Sequence, residues 1–129
     1  MRDMDRLIVD SSAWIEYFKG GEKGLAVKKY IDGHELLTSS LSISEIIASF
    51  LRNNLPLDAA LAFLKVKSSI ISIDFSIAEN AGKLYHDLRK KNGKISLSDT
   101  ICLEIAKKHN AKIITFDNDF REIPEAIVL

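Results

Sequence analysis

Short apolar runs, set apart by longer stretches with helical periodicity, constrain this chain most. Leu7-Ile8-Val9, Glu35-Leu36-Leu37-Thr38, Ser69-Ile70-Ile71-Ser72-Ile73 and the run 112–116 are each too short for an amphipathic helix and read as buried strands. Between them lie helical patterns. The segment 12–19 carries Trp14, Ile15 and Phe18 and is broken by Gly20-Gly21; a second helix follows near 23–32. In 41–54 the apolar positions 43, 46, 47, 50 and 51 repeat at helical spacing. Pro56 is read as opening the next helix, to about residue 65, where its missing N–H costs nothing. Helices over 76–91, stopped by Asn92-Gly93, and over 97–109 complete the set, with Ala126–Leu129 as a last short strand. Strands that alternate with helices require right-handed crossovers. The predicted fold is therefore α/β, a mainly parallel central sheet of four to five strands flanked by helices on both faces. No repeat, linker or low-complexity segment divides residues 1–129, so one domain is expected.

Onto this frame fall four widely spaced acids. Asp10 closes the first run and Asp117 follows the run 112–116, both at strand carboxyl ends, where open α/β sheets bind ligands. Glu45, inside Leu41-Ser42-Ile43-Ser44-Glu45-Ile46-Ile47, and Asp99, after Ser96-Leu97-Ser98, lie in or near the first turn of a helix, whose positive end favours an anion. Taken singly, each has a plain alternative. Asp10 and Asp117 suit turns or N-caps, Glu45 suits a solvent-facing helix position, and Asp99 suits a capping box with Ser96. Their conjunction weighs more. Two carboxylates 4 Å apart repel by about 4 kcal/mol at an effective dielectric near 20, so four acids brought together must take up protons or a cation. Oxygen donors favour Mg²⁺ or Mn²⁺; zinc prefers His and Cys, and His34, His86 and His109 form no zinc pattern with Cys102. With no candidate His base or Ser triad, water acidified by the cation is the expected nucleophile.

The segments Leu7–Ser12, Ser42–Ile46, Leu97–Ala106 and Ile113–Phe120 resemble, in order and spacing, the four acidic motifs of PIN-domain ribonucleases. More narrowly, the chain is similar to VapC-type toxins of toxin–antitoxin pairs, and the Thr115-x-Asp117-x-Asp119-Phe120 ending is the most specific part of the likeness. The resemblance spans almost the whole chain. It implies a PIN-like fold and assigns the four motif acids to Asp10, Glu45, Asp99 and Asp117. Asp10, Asp99 and Asp117 are then expected to hold the metal directly or through water, with Glu45 orienting the attacking water or holding a second ion. Ser12 and Thr115 match the hydroxyls beside the first and last acids and would fix the carboxylates, although each also suits an ordinary cap. Asp119 matches a further acidic position near the site. The implied substrate is single-stranded or looped RNA, and the implied partners are an antitoxin that covers the site and a second copy of the chain. The aromatic and aliphatic helices 12–32 and 41–65 are candidate surfaces for them, with plain core as the alternative.

Charge narrows how RNA can be held. The chain has 18 basic and 18 acidic residues, so it exerts no overall pull on a polyanion and any contact must be local. Residues 83–112 hold eight basic residues against three acidic ones. Within them Lys90, Lys91 and Lys94 are the expected phosphate contacts, with helix C-terminal decoration as the alternative. The start, Met1-Arg2-Asp3-Met4-Asp5-Arg6, is charged and leads into only three apolar residues, so a cytoplasmic location is expected. Cys102, the single cysteine, sits among Ile101, Leu103, Ile105 and Ala106 and reads as a small core residue. Two other classes compete. A phospho-acceptor receiver domain needs a second acid beside Asp10, where Ser11 stands, and a late-strand Lys, where Thr115-Phe116-Asp117 stands; an aspartyl phosphatase needs an acid at position 12, which is Ser. A non-catalytic binding module would need no acid cluster.

Overall fold

The computed structural model describes residues 6–129; the charged start on which the cytoplasmic expectation rests lies, except for Arg6, outside the described residues. In chain order the elements are β1 (Arg6–Val9), α1 (Ser11–Lys19), α2 (Gly21–Ile31), β2 (Glu35–Ser39), α3 (Ser40–Arg52), α4 (Asp58–Lys67), β3 (Ser68–Ile71), α5 (Phe75–Arg89), α6 (Leu97–His109), β4 (Lys112–Thr115), a 3-10 turn (Asn118–Phe120) and β5 (Ala126–Val128). The five strands form one sheet in the order β3-β2-β1-β4-β5, and every pairing is parallel. This is the expected α/β architecture with the fifth strand present.

Alternation along the strands sorts the core into two layers. Leu7, Val9, Leu36 and Ile114 pack with Trp14, Val27, Ile46, Phe50 and Leu64 from α1 to α4. Ile8, Leu37 and Ile113 face the other way, onto Ile77 of α5 and Cys102, Leu103, Ile105 and Ala106 of α6. Both faces of the sheet are thus buried, which is why its strands are continuous apolar runs. Cys102 is a core residue, as expected.

Three local differences have physical causes. Helix α4 begins at Asp58 and not at Pro56, because Leu57 is the N-cap and Pro56 belongs to the turn before it. Strand β3 ends at Ile71, where pairing with β2 stops at Ser39, so Ser72 and Ile73 lie beyond it. Helix α2 starts directly at Gly21, because Gly20 and Gly21 adopt φ of +82° and +81°, which only glycine reaches without strain. Gly24 then lets α2 lie on α1, since a Cβ there would stand 2.8 Å from the Glu16 carbonyl oxygen.

After β1 the chain moves outward through β2 and β3, then returns to the other side of β1 for β4 and β5. The direction reverses between β1 and β4, and a crevice opens outside the carboxyl ends of strands at such a switch point. Asp10 and Asp117 follow those two strands.

Candidate metal centre

Register sets the first half of the site. Val9 pairs with Ile114, and the Asp10 N–H donates to the Ile114 carbonyl at 3.0 Å, so Asp10 stands beside Thr115 at the carboxyl ends of two interior strands. Asp10 is only 7% exposed and Thr115 is fully buried. The Thr115 hydroxyl donates to Asp10 Oδ2 at 2.9 Å and the Ser12 hydroxyl donates to the same oxygen at 3.0 Å. Each hydroxyl has one proton, so the 3.2 Å approach of Ser12 Oγ to Thr115 Oγ1 is a contact between two donors sharing one acceptor. Their lone pairs are used as well: Ser12 Oγ accepts from the Phe116 N–H at 3.1 Å and Thr115 Oγ1 from the Asp117 N–H at 3.0 Å. Asp10 occupies the N-cap position of α1 without a side-chain cap bond, so its carboxylate serves the crevice and not the helix. Burial raises its pKa above the usual carboxylate value and the charge of Glu45 adds to that, while the Thr115 and Ser12 hydrogen bonds oppose them.

The second half is built by α6 and the 3-10 turn. Ser96 and Asp99 form a capping box: Ser96 Oγ accepts from the Asp99 N–H and Asp99 Oδ2 accepts from the Ser96 N–H, both at 3.0 Å. The capping reading of Asp99 therefore holds, and it does not exhaust the residue. Asp117 caps the 3-10 turn through Oδ1, which accepts from the Asp119 N–H at 2.9 Å. With these backbones fixed, Asp99, Asp117 and Asp119 each bring one carboxylate oxygen to within 4.8 Å of the others. Burial, with the charges of Asp117 and Asp10, pushes the pKa of Asp99 up to about 6 against the lowering effect of its bonds to Ser96.

Glu45 reaches the site from α3. Its Oε2 accepts from the Ser98 hydroxyl at 3.1 Å, and its Oε1 is buried without a hydrogen-bond partner. A buried carboxylate oxygen left unpaired is costly unless something outside the chain completes it. No ion pair among the described residues involves any of the five acids. The donor set is oxygen only: Cys102, beneath the acids, has its thiol pKa driven well up by burial and then by Asp10, Asp99 and Glu45, which keeps it protonated. Unpaired oxygen donors of this kind fit a hard divalent cation.

Asp10, Glu45, Asp99 and Asp117 thus reach one crevice from β1, α3, α6 and the β4 end, and Asp119 joins Asp99 and Asp117 in the tightest grouping. Ser96 and Ser98, which hold Asp99 and Glu45, were not foreseen as site residues; the Ser96-x-x-Asp99 spacing signals the first, and nothing local signals the second. Lys90, Lys91 and Lys94 are exposed in the turn between α5 and α6. Lys91 and Lys94 line a groove with Arg121, Asn118 and Asp119, so the basic turn borders the acids.

Helices 12–32 and 41–65 contribute both to the core and to an open groove. Trp14, Val27, Ile31, Ile46, Phe50 and Leu64 are core, while Tyr17, Phe18, Leu55, Pro56 and Phe63 line an open apolar groove. Among the described residues no helix is long and apolar enough to cross a membrane.

Solved structures share this architecture. A toxin–antitoxin complex from Klebsiella pneumoniae matches with a TM-score of 0.73 at 23% identity, over 95% of this chain and 96% of that one. VapC20 of Mycobacterium tuberculosis, described as a sarcin–ricin loop cleaving toxin, gives 0.71 at 20% identity over 92% and 95% of the two chains. DNA-bound VapBC from Salmonella typhimurium gives 0.72 at 16% identity over 96% of each. At these identities the likeness is one of fold. No curated protein matches the chain. The family model described as PIN domain matches residues 7–126, from β1 to the first residue of β5, and the chain therefore belongs to the PIN-domain family.

Proposed function

We propose that this PIN domain is an endoribonuclease that depends on Mg²⁺ or Mn²⁺ and acts as the toxin of a toxin–antitoxin pair. The observation that carries the reading is the meeting of Asp99, Asp117 and Asp119 beside buried Asp10 and the unpartnered Glu45 Oε1, with no cationic side chain among the described residues paired to any of them. Asp10, Asp99 and Asp117 hold the ion directly or through its waters, and Asp119 adds a fourth carboxylate at the rim. Ser12 and Thr115 hold Asp10 by one oxygen and so fix its orientation. When bound, the cation supplies Lewis-acid stabilisation of the scissile phosphate and acidifies water at neutral pH. Glu45, fixed at Oε2 by Ser98, uses Oε1 to accept a hydrogen bond from the attacking water. Lys90, Lys91 and Lys94 hold neighbouring phosphates of single-stranded or looped RNA. The described roles of the structural neighbours support a toxin partnered by an antitoxin protein, with homodimerisation and work in the cytoplasm as parts of the same reading.

Incubating the purified chain with a mixed RNA pool tests the enzyme. Cleavage is expected with Mg²⁺ or Mn²⁺ and not with chelator, and Asp99→Asn, which keeps shape and loses charge, should abolish it; a variant as active as the parent at saturating Mg²⁺ overturns the site. Expression of the chain alone should arrest growth and Asp10→Asn should not. Equal toxicity of the two would argue against a nuclease toxin.

A further inference from the structure

Asp119 is held at both ends of its backbone. Its N–H donates to Asp117 Oδ1 at 2.9 Å, and its carbonyl accepts from Asn92 Nδ2 at 3.0 Å, across 27 residues of chain. The same Asn92 side chain accepts, through Oδ1, from the Lys94 N–H at 3.0 Å. Asn92 is partly buried in the turn between α5 and α6, and with Lys91, Lys94, Asn118 and Asp119 it lines the groove that borders the acids. One amide therefore joins the basic turn to the 3-10 turn that, with its N-cap Asp117, supplies two of the three converging carboxylates.

We infer that Asn92 is a positioning residue, which pins Asp119 into the cation-binding group by clamping its carbonyl. The inference rests on the metal-centre reading above. The 3-10 turn spans only three residues; its own bonds run from the Phe120 N–H to the Asp117 carbonyl, from the Arg121 N–H to the Asn118 carbonyl and from the Asp119 N–H to Asp117 Oδ1. None of them engages the Asp119 carbonyl, which Asn92 holds while fully buried Phe120 anchors the other side. If the clamp is cut, Asp119 keeps its bond to Asp117 but loses the restraint on its carbonyl side. Its carboxylate then has to be ordered when the cation binds, and affinity falls. Groups that orient ligands in this way typically contribute 10–100-fold to metal affinity.

Mn²⁺ binding to the full chain without RNA, followed by electron paramagnetic resonance, measures this. Asn92→Ser is the variant of choice. Its hydroxyl can still accept from the N–H two residues on, which preserves the turn, but it cannot reach the Asp119 carbonyl. Mn²⁺ affinity should fall about 10-fold. In an Asp119→Asn background the same change should cost nothing further, because the residue it acts through has gone. Asn92→Ala, which removes both bonds, should show the same dependence on Asp119. Unchanged affinity in Asn92→Ser, or an equal loss with and without the Asp119 carboxylate, overturns the positioning role while leaving the metal centre intact. A parent chain that takes up no Mn²⁺, or takes it up unchanged as Asp99→Asn, removes the metal centre and this inference together.

Discussion

Asp99 is pulled in two directions. The capping box, the Ser96 N–H on Oδ2, favours its charged form, while burial and the nearby Asp117 and Asp10 favour the neutral one and win, leaving a pKa of about 6. An unfolded Asp titrates near 4, so between about 4 and 6 the folded chain holds more protons than the unfolded one. Metal-free stability should therefore fall as pH rises through that window and stay low above it. Asp99→Asn should remove the fall and melt higher than the parent at pH 7.5 in chelator; Mg²⁺ should raise the parent, by about 2.7 kcal/mol at a 100-fold excess over Kd, and leave the variant nearly unmoved. Equal melts for the two in chelator, with no response to Mg²⁺, would dissolve the cluster. Asp10 and Asp117 stand out in the sequence because each follows an apolar strand, and that placement needs only β-periodicity. The approach of Asp119 depends on the 3-10 turn that Asp117 caps, and neither the apolar runs nor the helical spacing of the sequence marks that turn. Asn92 shows in the sequence only as a helix stop, because its bond to Lys94 is local and its partner across the site, the Asp119 carbonyl, is set by tertiary folding.

At the scale of elements, a polar chain crosses the layer of α1 to α4. Trp14 Nε1 of α1 donates to Thr38 Oγ1 of β2 at 3.0 Å, and that hydroxyl meets Ser68 Oγ of β3 at 2.6 Å, all buried. Because Thr38 accepts the indole N–H, it is free to donate its own proton to Ser68. Thr38→Val keeps the shape and orphans both neighbours, which should cost about 1–3 kcal/mol. Urea titration should show a lower midpoint with an unchanged slope. A midpoint equal to the parent's would mean that this chain stabilises nothing. The strands and helices themselves follow from apolar runs and spacing, and the differences lie at their ends, at Gly21, at Pro56 and after Ile71. Those ends are decided by where a neighbouring strand stops or a turn closes, information that lies far away along the chain.

For the whole molecule the balance of charge is decisive. With 18 charges of each sign, the proposed hold on RNA falls to the exposed turn carrying Lys90, Lys91 and Lys94. Changing all three to Gln should weaken RNA binding in chelator and reduce the salt slope by about 2, at roughly 0.7 per phosphate contact on single strands. An unchanged slope would place the RNA path elsewhere. The fold as a whole was readable because alternating strands and helices permit few arrangements. The pairing of β1 with β4 also bears on the protein's birth on the ribosome. Asp10 leaves the ribosome 105 residues ahead of its partner Thr115, so the proposed metal centre can close only after β4 has been made. At about 5–20 residues per second, a growing chain spends some 5–20 s with its acids apart, harmless to the RNA that is producing it.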